Sequence, residues 1–413
     1  MSCAPAASLP DDRGMPAEHA DIPVDLSVLL ERSREPGNRL PPPGASVAVA
    51  MSGGVDSAAA LVLLTQAGYR CTGVTLRLVP EPEEKSVFEP CCGLEAARDA
   101  ERVCQRLGVP HRIIRAVEPF DRFIIDWFAR DYAEGRTPNP CVRCNRMVKF
   151  GLLWKAVRDL GCEWLAMGHY ARLDFANSGR LVLSRARFRE KDQSYVLAPL
   201  TQAQLGRVCF PMGHLTKDEA RAVAATVDRR SGSKPESQEI CFVPDRNYAA
   251  LVTRRTGEAP PGPIVDIAGR RLGTHLGLVR YTIGQRRGLG IAADRPYYVI
   301  AMIPESNTLV VGHEEHTACG QLRTGPPVWG GLPPTDQPFD CRVQLRAHHV
   351  PCYARVHPER GALRITLHPP QRGVAPGQWA VCYDDQDRIL VSGEILDAPP
   401  DILANHPFFR RNQ

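Results

Sequence analysis

The sequence lacks the features that would place the protein in a membrane or outside the cell. Its 413 residues contain no run of about eighteen apolar residues, which excludes a conventional transmembrane helix. The first residues show no charged start followed by an apolar core, so we expect no secretory signal peptide. These two absences predict a cytoplasmic protein with no membrane partner.

The sequence also lacks a strong excess of one charge and any internal repeat. A net charge of +5 permits a polyanionic partner such as nucleic acid without requiring one. The 14 cysteines are spread along a long chain with no signal peptide, which argues against a disulfide framework. We expect reduced thiols, most of them inert in the core and a few with catalytic or metal-binding roles.

One stretch, VAVAMSGGVDS at residues 47–57, predicts an anion-binding turn. A short apolar run typical of a buried strand stops at two glycines, and a helix follows. Free N–H groups at the start of that helix favour a phosphate or pyrophosphate. The turn lacks the Lys-Ser/Thr ending of a Walker loop and the G-x-G-x-x-G of dinucleotide-binding folds. A plain strand-to-helix turn is the alternative reading.

The order of elements predicts an α/β protein followed by a β-rich part. Residues 1–44 are predicted to be a poorly ordered extension. From residue 46 onward strands and helices alternate, which predicts a parallel sheet with helices on both faces and ligands at the carboxyl ends of its strands. The predicted helices include 119–132, a basic helix at 146–160, and 216–227, where Thr216 and Glu219 are spaced as a capping box. After residue 260 short strands, one of them predicted at 278–282, suggest a barrel.

Two loops carry cysteines that stand out. In GRTPNPCVRCN, residues 135–145, two prolines forbid regular structure, so we expect an exposed loop with two cysteines three apart. In SQEICFV, residues 237–243, polar residues precede Cys241, although burial as a small hydrophobic residue is the alternative for this thiol. The Arg- and Gly-rich segment 273–290 suits a passing phosphate backbone.

Seven strings together resemble the tRNA-specific 2-thiouridylases, from about residue 46 to residue 395. They are AMSGGVDS, GRTPNPCVRCN, MGHYAR, KDQSYVL, SQEICFV, HLGLVRYTIGQRRGLG and VAPGQWAV. The resemblance implies an α/β fold with a parallel-sheet ATP-pyrophosphatase (adenine nucleotide alpha hydrolase-like) domain, a small central domain and a C-terminal β-barrel. We place the catalytic domain at 45–210, the central domain at 211–260, the tRNA-binding barrel at 261–400 and a tail at 401–413.

The resemblance also implies a reaction. ATP, with Mg, adenylates the C2 carbonyl oxygen of the wobble uridine at position 34 of tRNA, and pyrophosphate leaves. A cysteine persulfide then delivers sulfur to C2, giving 2-thiouridine and AMP. The implied partners are tRNA and a persulfide donor such as a cysteine desulfurase or a relay protein.

The resemblance assigns roles residue by residue. The residues implied for ATP are Ala50, Met51, Ser52, Gly53, Gly54, Val55, Asp56, Ser57, Leu76 and Gly168. Those implied for the target base or for tRNA are Asn139, Pro140, Cys141, His169, Lys191, Asp192, Gln193, Arg346, Ala347 and Gln378. Cys144 matches the nucleophilic cysteine and Cys241 the cysteine that carries the persulfide.

One departure from the family pattern leaves the sulfur chemistry open. Many members have Asp where this chain has Cys141. Cys141, Cys144 and Cys241 would also suit three ligands of a [4Fe-4S] cluster with one iron open. The alternatives are therefore thiolation through a persulfide, thiolation through a cluster, a non-thiolating ligase with the same pyrophosphate loop, and a non-catalytic tRNA-binding or sulfur-carrier module.

Overall fold

A computed structural model describes residues 25–35, 37–79, 94–233, 240–243, 245 and 247–404. Residues 1–24 and 36 of the predicted extension and residues 405–413 of the predicted tail lie outside this range. No helix in these ranges is long and apolar enough to span a membrane.

A five-stranded parallel sheet forms the N-terminal part, as predicted. Its strands, from one edge to the other, are His111–Arg115, Arg70–Arg77, Ser46–Ala50, Trp164–Ala166 and Val208–Cys209. The central strand Ser46–Ala50 consists of small and β-branched residues after its serine and is buried along its middle, as is typical of a parallel strand covered on both faces. A two-stranded antiparallel hairpin, Ala171–Phe175 with Leu181–Arg185, follows the fourth strand.

Helices cover this sheet, and two of the predicted helices have a different internal geometry. The α-helices up to residue 256 are Leu26–Ser33, Val55–Gln66, Leu94–Arg106, Val117–Phe120, Asp126–Ala133, Pro140–Cys144, Leu153–Asp159, Ser194–Leu197, Gln202–Leu205, Lys217–Ala225, Arg229–Ser233 and Tyr248–Thr256, with a 3-10 turn at Arg189–Lys191. The predicted helices 119–132 and 146–160 are interrupted by π-helical stretches, at Asp121–Ile125 and Asn145–Leu152. The wider π turn leaves no signature in residue type, so a periodic pattern could not reveal it.

The segment 261–400 contains two separate sheets. A four-stranded sheet has the order Tyr298–Ile303, Thr308–Gly312, Gly262–Asp266 and Arg271–His275. A six-stranded barrel has the order Ala318–Thr324, Ala362–Arg372, Cys352–Glu359, Phe339–Gln344, Trp379–Tyr383 and Ile389–Asp397, and its first and last strands pair to close it. Strand Val328–Trp329 adds to the last barrel strand, and short helical elements lie at Pro304–Ser306, Glu314–Thr317 and Asp401–Ala404. The predicted C-terminal barrel is thus present, preceded by a smaller sheet.

The prediction of a strand at residues 278–282 is wrong. Residues Leu278–Arg280 form a 3-10 turn instead. Gly277, directly before it, has φ of 107°, a conformation that other residues rarely adopt and that turns the chain out of an extended path.

The described part of the predicted extension contains a helix. Helix Leu26–Ser33 starts at Asp25, whose carboxylate accepts a hydrogen bond of 2.9 Å from the Ser27 N–H. Leu29 is 5% exposed and joins the core cluster that contains helix Val55–Gln66. Arg32 pairs with Glu219 at 2.5 Å. This helix is therefore docked on the N-terminal part.

Replacing Leu29 tests that docking. Leu29→Ala removes buried methyl groups and should weaken the helix contact by about 2–3 kcal/mol. Amide hydrogen exchange across residues 26–33 should then speed up. Val28→Ala is the matched control, since Val28 is exposed, and it should leave exchange nearly unchanged. Equal exchange in both variants would show that the helix does not depend on this contact.

Candidate active site

The pyrophosphate turn, Met51–Gly54, joins the central strand to helix Val55–Gln66 in a fixed conformation. Gly53 has φ of 69°, and a Cβ there would lie 2.3 Å from the Ala96 carbonyl oxygen, so only glycine fits. The Ser57 hydroxyl donates to the Gly54 carbonyl at 2.9 Å and accepts from the Ser52 N–H at 3.2 Å. These bonds hold the turn at the carboxyl end of the central strand.

A pocket of about 780 Å³, partly open to solvent, lies at this turn. It is lined by seven of the ten residues predicted to hold ATP: Ala50, Met51, Ser52, Asp56, Ser57, Leu76 and Gly168. The other three, Gly53, Gly54 and Val55, form the turn and the helix start without lining the pocket. His169 and Gln193, predicted to contact tRNA, line the same pocket. The structure thus brings residues of both predicted groups to one cavity.

Six further pocket residues were not identified from the sequence. They are Val74, Thr75, Leu78, Lys149, Leu153 and Met167. Five of them are apolar or small and shape the walls, whereas Lys149 places an ammonium group in a pocket suited to an anion. Lys149 lies within the helix 146–160 predicted from its basic residues, but that prediction could not say which basic side chain faces the pocket.

The π-helical stretch Asn145–Leu152 relates Lys149 to Cys144. The N–H of Leu153 donates to the carbonyl of Val148, a step of five residues. With such bonds, residues five apart lie nearly above one another, as residues three or four apart do in an α-helix. Lys149 follows Cys144 by five residues, so one step of this hydrogen-bond pattern separates the pocket residue from the cysteine.

Asp56 is held by two donors. The Tyr170 hydroxyl and the Lys217 ammonium each donate to Asp56 Oδ1 at 2.7 Å. Tyr170 is almost fully buried, and the Lys217 ammonium lies 5.9 Å from the centre of its ring. The carboxylate at the mouth of the turn is therefore fixed in orientation and compensated in charge.

His169 presents a neutral ring to the pocket. Its Nδ1 is buried with no hydrogen-bond partner among the described residues. Burial, and then the positive charge of Lys149, lower the pKa of His169 well below its usual value. The ring is therefore uncharged at neutral pH.

The two cysteines of the predicted exposed loop lie on one short helix, Pro140–Cys144. The Asn139 side chain caps this helix by accepting from the Val142 N–H at 3.2 Å, and Pro140 occupies its first position. Cys141 is exposed and Cys144 is 8% exposed. The prediction of irregular structure here was wrong, because a capped proline at the first helical position starts a helix.

Cys241 approaches the same core as Cys144. Cys144 belongs to the hydrophobic cluster of the sheet and its helices, and Cys241 and Phe242 pack against that cluster half-buried. The Phe242 ring makes edge contacts with Phe120 and Phe128, at centroid distances of 5.9 and 5.2 Å. Residues 237–239 of the predicted cysteine loop lie outside the described residues.

In the KDQ segment, residues 191–193, Asp192 makes internal hydrogen bonds, whereas Gln193 lines the pocket. Asp192 accepts from the Ala186 N–H at 2.8 Å and from the Ser194 hydroxyl at 2.8 Å, and burial raises its pKa. Gln193 Oε1 accepts from the Tyr170 N–H at 3.0 Å, and Lys191 is half-buried. Asp192 therefore shapes the segment from inside.

The barrel is hydrogen-bonded to the chain just before helix Pro140–Cys144, called the cysteine helix below. Gln378 Nε2 donates to the Thr137 carbonyl at 2.8 Å, and the Thr137 N–H donates to the Pro376 carbonyl at 2.8 Å. Gln378, Arg346 and Thr137 also line a second cavity of about 930 Å³. Ala347, next to Arg346, is exposed. This second cavity brings Arg346 and Gln378, two of the predicted tRNA contacts, beside the entrance to the cysteine helix.

Comparisons with known proteins agree with this layout. Three family descriptions match: "tRNA methyl transferase HUP domain" at residues 45–245, "tRNA methyl transferase PRC-barrel domain" at 250–313 and "Aminomethyltransferase beta-barrel domain" at 320–395. The last two coincide with the two separate β-sheets described above.

Curated relatives match nearly the whole chain. A protein of Chloroflexus aurantiacus named tRNA-specific 2-thiouridylase MnmA is 46% identical over 360 residues, which cover 87% of this chain and 99% of the relative. A protein of the same name in Roseiflexus sp. is 43% identical over 374 residues, covering 85% of this chain and 99% of the relative.

Likeness to solved structures is much weaker. The U34-tRNA thiolase NcsA from Methanococcus maripaludis with its [4Fe-4S] cluster is 15% identical, with a TM-score of 0.33, covering 57% of this chain and 82% of that one. A match of that size says nothing about the chemistry of this protein. The close sequence relatives are decisive: the chain belongs to the tRNA-specific 2-thiouridylase family.

Proposed function

We propose that this protein is a tRNA-uridine 2-sulfurtransferase that uses ATP to thiolate C2 of the wobble uridine. One observation carries the proposal beyond family membership. Lys149, five residues beyond Cys144 on a continuous helical path, lines the pocket of the pyrophosphate turn. ATP bound at the turn and a base placed at the cysteine helix would therefore be neighbours.

In the first step, the C2 carbonyl oxygen attacks the α-phosphorus of ATP and pyrophosphate leaves. The N–H groups at the start of helix Val55–Gln66 attract the phosphates. The hydroxyl groups of Ser52 and Ser57 line the pocket and would face a magnesium ion bound with ATP, which would neutralise phosphate charge. Lys149 stabilises the negative charge that develops at the α-phosphate.

In the second step, the terminal sulfur of a Cys241 persulfide attacks C2 and AMP leaves, which joins the base to Cys241 through two sulfurs. The Cys144 thiolate then attacks the Cys241 sulfur. The sulfur–sulfur bond to the base breaks, 2-thiouridine is released, and Cys144 and Cys241 end as a disulfide. A thiol reductant and a persulfide donor, such as a cysteine desulfurase or a relay protein, reset the enzyme. The shared core beneath both cysteines supports this route.

The cluster route is supported less well. Three thiolates must converge on one site to hold an iron–sulfur cluster. Among the described residues, no group of three or more His, Cys, Asp or Glu side chains is placed to hold a metal ion. The residues therefore do not fit the cluster in this arrangement, and we derive no step through it.

The extruded base would then lie beside Asn139, Pro140 and Cys141. The bound tRNA would contact His169, Lys191, Gln193, Arg346, Ala347 and Gln378. Withdrawing the base from its stack is required of any enzyme that modifies it. Since Gln378 and Arg346 meet Thr137 at one cavity, RNA bound to the barrel would be positioned directly before the cysteine helix.

Cysteine substitutions test the proposed function and separate the two sulfur routes. Cys144→Ser and Cys241→Ser should each lower thiolation by at least about 1,000-fold, because each removes a reacting sulfur. Cys141→Ser should lower thiolation far less than either of these variants, because Cys141 would lie beside the base but supplies no reacting sulfur in this route. The measurement is 2-thiouridine in an unmodified tRNA, by nucleoside mass spectrometry, after incubation with ATP and a persulfide donor without iron.

Two outcomes would contradict this account. If Cys141→Ser lost activity together with the other two variants, and the reconstituted protein bound iron and absorbed in the visible blue, the persulfide route would fail. If the unsubstituted protein made no 2-thiouridine and deletion of its gene left wobble 2-thiouridine unchanged in cells, the function itself would be refuted.

Replacing Lys149 tests the adenylation step. Lys149→Met should slow single-turnover pyrophosphate release with tRNA by about 100-fold, the usual effect of removing one group that stabilises transition-state charge. Lys155→Met is the matched control, since Lys155 lies nearby on the next helix but is exposed. The role fails if both variants release pyrophosphate at the original rate.

A further inference from the structure

A lysine from outside the predicted catalytic domain contacts the first turn of helix Val55–Gln66, directly after the pyrophosphate turn. Lys217 Nζ lies 2.7 Å from Asp56 Oδ1, and its side chain is only 12% exposed. Tyr170 donates to the same oxygen at the same distance. Asp56 itself lines the pocket and is 32% exposed. Lys217 therefore acts on the pocket through a carboxylate at its mouth.

Local structure fixes where Lys217 lies. It is the first residue of helix Lys217–Ala225, which begins with a capping box between Thr216 and Glu219. The two capping hydrogen bonds measure 2.8 and 3.2 Å, and Arg32 binds Glu219 from the other side. Buried alanines and Val223 of this helix join the core cluster that also contains helix Val55–Gln66. The lysine is thus anchored to the same helix whose N-terminus faces the phosphates.

A lysine at position 217 is unusual for this sequence, in which most basic residues are arginines. Of the 51 basic residues only six are lysines, at positions 85, 149, 155, 191, 217 and 234. Two of these six act at this pocket: Lys149 lines it, and Lys217 contacts Asp56. A guanidinium is a planar fork that needs more space and several partners, whereas an ammonium is a compact point charge. The confined space beside Asp56 and Tyr170 suits the smaller group.

We propose that Lys217 is a positioning residue for ATP: it holds the Asp56 carboxylate in place and cancels its charge where a polyphosphate must enter. This inference rests on the proposed use of ATP. A carboxylate left uncompensated at the mouth of the pocket would repel the phosphates. Tyr170 fixes the orientation of the same oxygen but carries no charge to balance it, so the cancellation depends on Lys217.

A double-mutant cycle tests this role. The Kd of a non-hydrolysable ATP analogue, α,β-methylene-ATP, is measured by calorimetry with magnesium for the original protein, Lys217→Met, Asp56→Asn and the double variant. Lys217→Met should weaken binding about tenfold, the effect of one uncompensated charge at this range. In the Asp56→Asn background the same substitution should have little further effect, because the charge it balances is gone.

Additive losses in the cycle would overturn the proposal, since Lys217 would then act on the phosphates independently of Asp56. With tRNA, Lys217→Met should raise the KM for ATP while kcat at saturating ATP stays within about threefold. A fall in kcat with unchanged KM would also contradict the proposal.

Two further variants separate this role from misfolding and from the proposed function. Lys217→Gln keeps a hydrogen-bond donor beside Asp56 but removes the charge, and it should weaken analogue binding only when Asp56 is present, which keeps the cycle usable if Lys217→Met does not fold. Lys155→Met should bind as the original protein does. If the original protein thiolates tRNA and Lys217→Met binds ATP equally well, this inference alone fails; if the original protein neither binds the analogue nor thiolates tRNA, the proposed function fails.

Discussion

The backbone at Gly53 leaves no room for a side chain, and the position of the pocket depends on that constraint. A Cβ would meet the Ala96 carbonyl oxygen at 2.3 Å, so helix Leu94–Arg106 presses directly against the turn. Gly168 meets the other side, where a Cβ would lie 2.8 Å from the carbonyl carbon of Asp56. The start of helix Val55–Gln66 is thus held between two backbone segments. Its N–H groups therefore point at a ligand without reorganisation, which is what electrostatic catalysis requires.

Charge balance at this turn is assembled from distant parts of the chain. The ammonium of Lys217 neutralises Asp56, whereas Lys149 belongs to the π-helical stretch directly after Cys144. The first cation acts on the pocket through a carboxylate, whereas the second lines the pocket directly. Burial and the charge of Lys149 keep the His169 ring neutral by lowering its pKa, so it adds no further positive charge to the pocket.

Local patterns predicted much of this arrangement, and contacts between distant residues could not be predicted. The strand and helix around the pyrophosphate turn and the Thr216–Glu219 capping box depend on neighbours in sequence. By contrast, Lys217 and Asp56 are 161 residues apart. The π-helical turn beyond Cys144 changes which side chains face the pocket without any change in residue type. Asp192 has the residue type of a polar contact, and only the fold shows that its carboxylate turns inward.

The environments of the cysteines bear on the chemistry that replaces the missing Asp at position 141. Cys141 and Cys144 lie on a single helical turn, yet one is exposed and the other belongs to the hydrophobic core. A cluster would need the sulfurs of Cys141, Cys144 and Cys241 to converge on one site, whereas a relay needs only the buried thiol to meet Cys241. Cys144 is buried and Cys241 is half-buried, which would limit the access of water to a persulfide. An exposed thiol at Cys141 would contribute to neither requirement, which favours a place beside the substrate base over a share in sulfur transfer.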